Sequence, residues 1–102
     1  MSHQRLKVLS RLLDAGEIQL AGADIMRQTG LASGSLYPIL YALETGNLVK
    51  SRWEDREEAH ALGRPRRCLY KLTALGERTT REALTDLVPS GVLAPDTFGS
   101  AT

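Results

Sequence analysis

Three arginines close to one another give the chain its clearest chemical group. Arg64, Arg66 and Arg67 fall within four positions, and Gly63 and Pro65 beside them are typical of a turn. A guanidinium is permanently charged, and its planar fork matches the oxygens of a phosphate. These side chains are therefore predicted to contact the phosphates of double-stranded DNA, although a charge run of this kind is also common in a loop that meets only solvent.

The positive charge at residues 64–67 is local, because the chain as a whole is nearly neutral. Thirteen basic and twelve acidic side chains give a formal net charge of +1, whereas DNA-binding domains are often strongly basic. Four of the acids, Glu54, Asp55, Glu57 and Glu58, come shortly before the arginines. They leave open a second hypothesis, in which the same surface binds a protein.

A second set of polar residues belongs to a predicted helix that ends at Gly46. Its apolar residues recur every three or four positions and predict a buried stripe of Leu36, Ile39, Leu40 and Leu43. Either Ser33 or Ser35 is expected to cap this helix, and an earlier start would cost one hydrogen bond because Pro38 has no backbone N–H. The residues of this segment expected to face DNA are Ser33, Gly34, Ser35, Tyr37, Pro38 and Tyr41.

The two tyrosines of this helix are expected to act differently. Tyr37 lies with the serines near the helix N-terminus, where free N–H groups and a partial positive charge favour a phosphate, although it could also pack against the neighbouring helix with its hydroxyl at the surface. Tyr41 lies one turn further on and could contact a thymine methyl group, or it could pack against the neighbouring helix with its hydroxyl at the surface. The exposed side carries one ionised residue, Glu44, and no Arg, Asn or Gln. Sequence readout is therefore expected to depend on hydroxyl and apolar contacts and on DNA shape.

Residues that commonly act in catalysis or bind metals are few and scattered. His3, His60 and Cys68 show no metal-ligand spacing, and the sequence has no phosphate-binding loop or nucleophile-elbow motif. A lone cysteine on a strand is usually a small buried apolar residue. The sequence therefore predicts no enzyme, no metal site and no cofactor.

Nothing in the sequence indicates export or a membrane. The N-terminal residues lack the apolar stretch and cleavage site of a signal peptide. No apolar run approaches the roughly 18 residues that a membrane span needs. A single cysteine also rules out a disulfide framework. We therefore expect a cytoplasmic protein with no membrane partner.

The predicted helices and strands follow one another in an order typical of a winged helix. Apolar spacing and turn residues predict helices over 3–14, 23–29 and 74–88, the last one capped by Thr73, and strands over 17–20, 48–53 and 68–72. A further helix follows its cap at Ser33 or Ser35 and ends at Gly46. The last two strands would pair as a hairpin, and residues 54–67, the wing, would form a long mobile loop. Trp53 is expected in the core of the hairpin, although it could instead serve as a platform for a ligand. We expect a mainly α winged helix-turn-helix fold with a small β-hairpin over residues 1–88, and a disordered tail over 89–102.

Apolar residues on the first and last helices exceed what one small core needs. A twofold interface between two copies of the chain would bury the excess. The sequence therefore predicts a homodimer, with an interface formed by Leu6, Leu9, Leu13, Leu75, Leu84, Leu87 and Val88.

Several short motifs in this order resemble the PadR family of transcriptional regulators. They are GSLYPIL at 34–40, LE at 43–44, GNLV at 46–49, GRPRR at 63–67, YKLT at 70–73 and Gly76. The resemblance implies a dimeric repressor or activator on an inverted-repeat operator, often released by a small aromatic or hydrophobic effector. Ala23 replaces the aromatic residue usual after Gly22. Nothing after Val88 resembles the long C-terminal dimerisation helices of larger members, so the resemblance is to a short form.

Two functions are therefore compared. The main hypothesis is a sequence-specific DNA-binding transcriptional regulator, expected to be a repressor that acts as a dimer. The alternative is a winged-helix adaptor or antirepressor, which contacts a protein through the same helix and does not bind DNA specifically. The arginines and the family motifs favour the first hypothesis, and the nearly neutral charge favours the second.

Overall fold

Five α-helices and three β-strands make up residues 2–86, the part of the chain that the computed structural model describes. In chain order they are α1 (His3–Ala15), β1 (Leu20–Ala21), α2 (Gly22–Thr29), α3 (Ser33–Thr45), β2 (Val49–Trp53), α4 (Arg56–Ala61), β3 (Cys68–Leu72) and α5 (Ala74–Asp86). The predicted winged helix-turn-helix fold class is confirmed. Within residues 2–86 no helix has both the length and the apolar composition that crossing a membrane requires. Leu87, Val88 and the predicted tail over 89–102 lie outside the described residues.

The core lies where α1, α2 and α3 meet one face of the sheet. Residues spaced at helical intervals supply it, as the sequence predicts, because each helix turns one stripe inward. Burying a leucine or isoleucine side chain fully stabilises the fold by roughly 1.5–3 kcal/mol. The apolar cluster comprises Val8, Leu9, Leu12, Leu20, Ile25, Leu36, Leu40, Leu43, Val49, Tyr70 and Leu72.

The turn between α2 and α3 is closed by a glycine and a threonine. Gly30 has a positive φ of 78°, which ends α2, and its N–H donates to the Met26 carbonyl at 2.8 Å. The Thr29 hydroxyl donates to the Ile25 carbonyl at 2.7 Å and accepts from the N–H of Leu31 at 3.2 Å. These bonds satisfy the polar groups of the turn and fix how α3 leaves α2.

The start of α3 differs from the prediction. Ala32 occupies the cap position without a side-chain hydrogen bond, so a cap at Ser33 or Ser35 is wrong. Pro38 consequently lies inside the helix, where it has no N–H to offer the carbonyl of Gly34, four residues earlier. Gly34 is exposed, so water can bond to that carbonyl instead.

The strands form an antiparallel sheet in the order β1-β3-β2. β2 and β3 make the predicted hairpin, which begins with Val49 opposite Leu72. β1 is shorter and later than the strand predicted over 17–20, and it pairs Leu20 with Tyr70. β1 therefore connects the β2-β3 hairpin to the start of α2.

The wing contains a helix rather than an uninterrupted loop, so the prediction of a long loop is wrong. α4 is preceded by Asp55, whose N–H donates to the carboxylate of Glu58 at 2.8 Å in a capping box. Ala59 packs inward and is 3% exposed. The acidic pair at this spacing was a helix-start signal present in the sequence.

Small residues, not leucines, pack α5 against the rest of the fold. Thr73 caps the helix as predicted, since its hydroxyl accepts from the Gly76 N–H at 2.9 Å. Gly76 lies so close to the neighbouring chain that an added Cβ would be 1.9 Å from the Leu48 carbonyl oxygen. One turn later Thr80 is fully buried, and its hydroxyl donates to the Gly76 carbonyl at 2.7 Å.

Candidate nucleic-acid interface

The outward face of α3 carries the residues that the sequence assigned to DNA. Ser33, Gly34, Ser35, Tyr37, Pro38 and Tyr41 are all exposed, while the leucine stripe of the helix is buried beneath them. Tyr41 is 74% exposed. Its ring therefore projects into solvent, which does not support the interpretation in which it packs against the neighbouring helix.

Tyr37 is partly packed and partly exposed. Its side chain crosses to the start of α2, where a Cβ built on Gly22 would lie 2.2 Å from the Tyr37 hydroxyl oxygen. Only glycine at position 22 leaves room for the tyrosine in this position. The ring is nevertheless 44% exposed, so Tyr37 is held in place and still presents a surface to a ligand.

The only charged side chain of α3 is bound to the sheet. The Ser51 hydroxyl of β2 donates to the Glu44 carboxylate at 2.6 Å. This hydrogen bond holds the carboxylate toward β2. A phosphate near Tyr37 or Tyr41 would therefore meet less repulsion than the sequence alone suggests.

Two arginines of the wing bind a buried carboxylate. Glu54 is 4% exposed, and the guanidinium of Arg64 donates to both of its oxygens, at 3.1 and 2.9 Å. The backbone N–H of Arg67 donates to the same carboxylate at 3.0 Å, and its guanidinium lies 3.5 Å away. Removing one partner of a buried pair leaves an uncompensated charge, which is strongly destabilising. Arg64 and Arg67 thus stabilise the base of the wing.

The charge of Glu54 reflects two opposing effects. Burial alone raises the pKa of this carboxyl. Hydrogen bonds from Arg64 and from the Arg67 N–H, together with the two positive charges, lower it further than burial raises it. The pKa of Glu54 consequently lies below its ordinary value of 4.5, and the carboxylate is ionised at neutral pH.

Arg66 differs from the other two arginines. Its Nε donates to the backbone carbonyl of Glu54 at 2.7 Å, and its side chain forms no ion pair with another residue among 2–86. Arg67, in contrast, lies 3.5 Å from Glu54 and 3.9 Å from Asp24 of α2. Arg66 is therefore the one guanidinium of the positive cluster at residues 64–67 that has no carboxylate partner among residues 2–86.

A cleft of about 440 Å³ opens between the wing and the helix-turn-helix. Trp53 lines it and is 60% exposed, so its predicted place in the hairpin core is wrong. Alternation along β2 turns Trp53 to the same side as the buried Val49. Trp53 is the last residue of β2, opposite Cys68 at the start of β3, and its side chain lines the cleft. The cleft is lined by Ala21, Gly22, Ala23, Tyr37, Trp53, Arg66, Arg67, Cys68 and Tyr70.

The residues predicted for a dimer interface fall in different places. Leu9 is fully buried in the core of the single chain, which removes it from the candidate interface. Leu6 and Leu84 line a second groove of about 440 Å³ beside α1. Leu13 is half-buried against the core and Leu75 is half-buried on α5. Leu87 and Val88 lie outside the described residues.

Groups suited to metal binding lie apart in the described part of the chain. Among residues 2–86, no three His, Cys, Asp or Glu side chains come together in a way that could hold a metal ion. His3 is on α1, His60 is on α4, and Cys68 is half-buried at the start of β3. The exposed surface of α3 and the adjoining cleft are thus the candidate site.

A helix-turn-helix whose second helix presents an exposed face, followed by a hairpin wing, defines the winged-helix class of DNA-binding regulators. Residues 17–82 match the profile of the transcriptional regulator PadR-like family, and the chain belongs to that family. Members of this family are transcription regulators rather than enzymes. No curated protein sequence matches the chain significantly.

Several solved structures share the fold. A PadR family transcription regulator from Clostridium difficile superposes with a TM-score of 0.70 at 22% identity, covering 83% of this chain and 86% of that one. A PadR-like transcription factor from Bacteroides fragilis gives 0.66 at 23% identity, covering 81% and 78%. A PadR family regulator from Eggerthella lenta gives 0.65 at 23% identity, covering 81% and 70%. Each likeness supports the winged-helix fold.

Proposed function

We propose that this PadR-like regulator binds DNA sequence-specifically and represses transcription as a homodimer on an inverted-repeat operator. The observation that carries the proposal is the outward face of α3, which is exposed along its length and whose only acid, Glu44, is bound to Ser51. With 13 residues at roughly 1.5 Å each, α3 is about 20 Å long and fits the major groove of B-DNA. The proposal implies a cytoplasmic protein, because its ligand is chromosomal DNA.

Within this interface, contacts that position the protein differ from contacts that read sequence. Tyr37 and the exposed first turn of α3 lie beside the start of α2, and they suit the phosphate backbone, which carries no sequence information. Tyr41 projects from the middle of the exposed face and suits base edges. Sequence specificity thus depends on Tyr41 and on DNA shape, while Tyr37 fixes the position of the protein along the duplex.

The dimer is proposed to form through α1 and α5. Because Gly76 and Thr80 pack α5 against the fold, Leu84 is only half-buried and lines a groove together with Leu6. Joining two copies along this groove would remove both leucines from water. A small hydrophobic effector, which the resemblance implies, stays a prediction.

A mobility-shift assay on DNA upstream of the chain's own gene tests this function. Binding at two salt concentrations, with random duplex as competitor, separates specific from nonspecific affinity. Tyr37→Ala is expected to lower the affinities for upstream DNA and for random duplex by similar factors. Tyr41→Ala should instead reduce the ratio of these two affinities. Loss of discrimination in Tyr37→Ala alone, with Tyr41→Ala unchanged, would contradict the assigned roles.

An adaptor or antirepressor is a second candidate, favoured by the charge of the wing. Arg64 and Arg67 are both hydrogen-bonded to Glu54, and the exposed α4 carries Glu57 and Glu58. Such a surface suits a protein partner better than a uniformly basic wing would. A folded dimer that shifts no duplex even at low salt would favour this candidate over the regulator.

A further inference from the structure

Trp53 is an exposed aromatic residue that the stability of the fold does not explain. It is the chain's only tryptophan and is 60% exposed, although tryptophan is highly buried on average. Exposed tryptophans are enriched among residues that dominate binding energy. Trp53 lines the cleft between the wing and the helix-turn-helix, which points to a ligand that enters this cleft.

The chemistry of the cleft indicates what that ligand is. Arg66 and Arg67 line it, and no carboxylate does. Its aromatic side chains, Tyr37, Trp53 and Tyr70, add apolar surface beside those charges. A ligand that alternates anionic groups with apolar rings, such as the phosphates and deoxyriboses of a DNA strand, complements both features.

Continuity with α3 supports the same ligand. Tyr37 belongs both to the exposed face of α3 and to the lining of the cleft. A duplex whose major groove receives α3 would bring one flanking backbone strand alongside Tyr37 and then across the cleft.

We propose that this cleft binds the sugar-phosphate strand flanking the major groove, with Trp53 packed against a deoxyribose and Arg66 against an adjacent phosphate. The inference rests on the proposed function and adds a contact residue to it. Because sugars and phosphates are the same in every sequence, Trp53 contributes affinity without discrimination.

The emission of Trp53 tests the contact in the unmodified protein. Binding to a fluorescein-labelled random duplex at low salt is followed by anisotropy. A parallel titration with the unlabelled duplex follows Trp53 emission and its quenching by acrylamide. We expect both signals to saturate at the same DNA concentration, with acrylamide quenching reduced at least twofold. Saturating anisotropy with unchanged quenching would overturn the role of Trp53 and leave the regulator intact, whereas no anisotropy change would contradict the proposed function itself.

Two variants complete the test. Trp53→Ala is expected to weaken binding to random duplex about tenfold, which corresponds to about 1.4 kcal/mol. Trp53→Phe, which keeps an aromatic ring, should recover most of that loss. Leu62→Ala removes a comparably exposed apolar side chain of the wing that does not line the cleft, and it should bind as the wild type does. Equal losses for Trp53→Ala and Leu62→Ala would refute the contact.

Discussion

Among the three arginines at 64–67, Arg66 is expected to supply the electrostatic contact with DNA almost alone. Each phosphate that a protein neutralises contributes about 0.9 to the slope of log affinity against log salt. Of the three arginines at 64–67, Arg66 is the one whose guanidinium has no carboxylate partner among residues 2–86, so Arg66→Ala should reduce the slope by about 0.9 per subunit, or about 1.8 for a dimer. A fourfold change in salt would then alter the ratio of wild-type to variant affinity by roughly tenfold.

The other two arginines should give a different signature. Arg64→Ala removes the bidentate partner of buried Glu54, so its main effect is a lower free energy of unfolding rather than a flatter slope. Replacing all three arginines should therefore flatten the slope little more than Arg66→Ala alone. If all three arginines contacted phosphates, the triple replacement would instead reduce the slope of log affinity against log salt by about two to three per subunit.

The assay is fluorescence anisotropy with labelled duplex at several salt concentrations, paired with urea denaturation of each variant. Arg56→Ala is the matched control, because it removes the same charge from an exposed position on α4 that does not line the cleft. The reasoning is refuted if Arg66→Ala keeps the wild-type slope, or if Arg64→Ala flattens the slope as much as Arg66→Ala does while the protein stays fully folded.

Three further predictions concern stability and assembly. Gly76→Ala should lower the free energy of unfolding, measured in urea, by about 3 kcal/mol, because its methyl group would overlap the backbone carbonyl of Leu48. Gly34→Ala is the control and should not destabilise the fold, since no atom lies within 4 Å of the added Cβ. Because the pKa of Glu54 is lowered on folding, its contribution to stability is present above its ordinary pKa of 4.5 and is lost as pH falls through the folded value. The wild type should thus be more stable than Glu54→Gln at neutral pH, and the difference between their melting temperatures should disappear in acid. A difference that stays constant with pH would contradict this. Leu6→Asp combined with Leu84→Asp should give a monomer in sedimentation equilibrium with greatly reduced affinity for upstream DNA, and a dimeric double variant would place the interface elsewhere.

Features set by local patterns were predictable from the sequence. The leucine stripe of α3 repeats every three or four residues, so its burial follows from helix geometry alone, and the exposed tyrosines follow from the same repeat. The Thr73 cap likewise depends on residues near one another in the chain. The helix-turn-helix and the exposed residues of α3 could therefore be located from the sequence alone.

Features set by contacts between distant segments were not predictable in this way. Glu54 meets Arg64 and Arg67 across ten and thirteen positions, and a count of charges cannot distinguish such a buried pair from a free positive cluster. The packing of α5 was not predictable for a related reason. Leucine periodicity indicates a buried face, but close approach of the backbone at Gly76 made small residues the packing surface.

The charge balance of the wing makes the proposed operator binding depend strongly on the dimer. In each subunit Arg66 alone of the three arginines at 64–67 lacks a carboxylate partner among residues 2–86, and the recognition helix α3 has no Arg, Asn or Gln. A single subunit therefore has few strong contacts with which to stay on DNA. In a dimer on two half-sites about one helical turn apart, the second subunit binds in an intramolecular step once the first is bound. The dimer therefore binds far more tightly than one subunit, although each subunit makes the same contacts. Because little nonspecific charge holds a monomer on DNA, loss of the dimer should remove most binding to random duplex as well as binding to the operator.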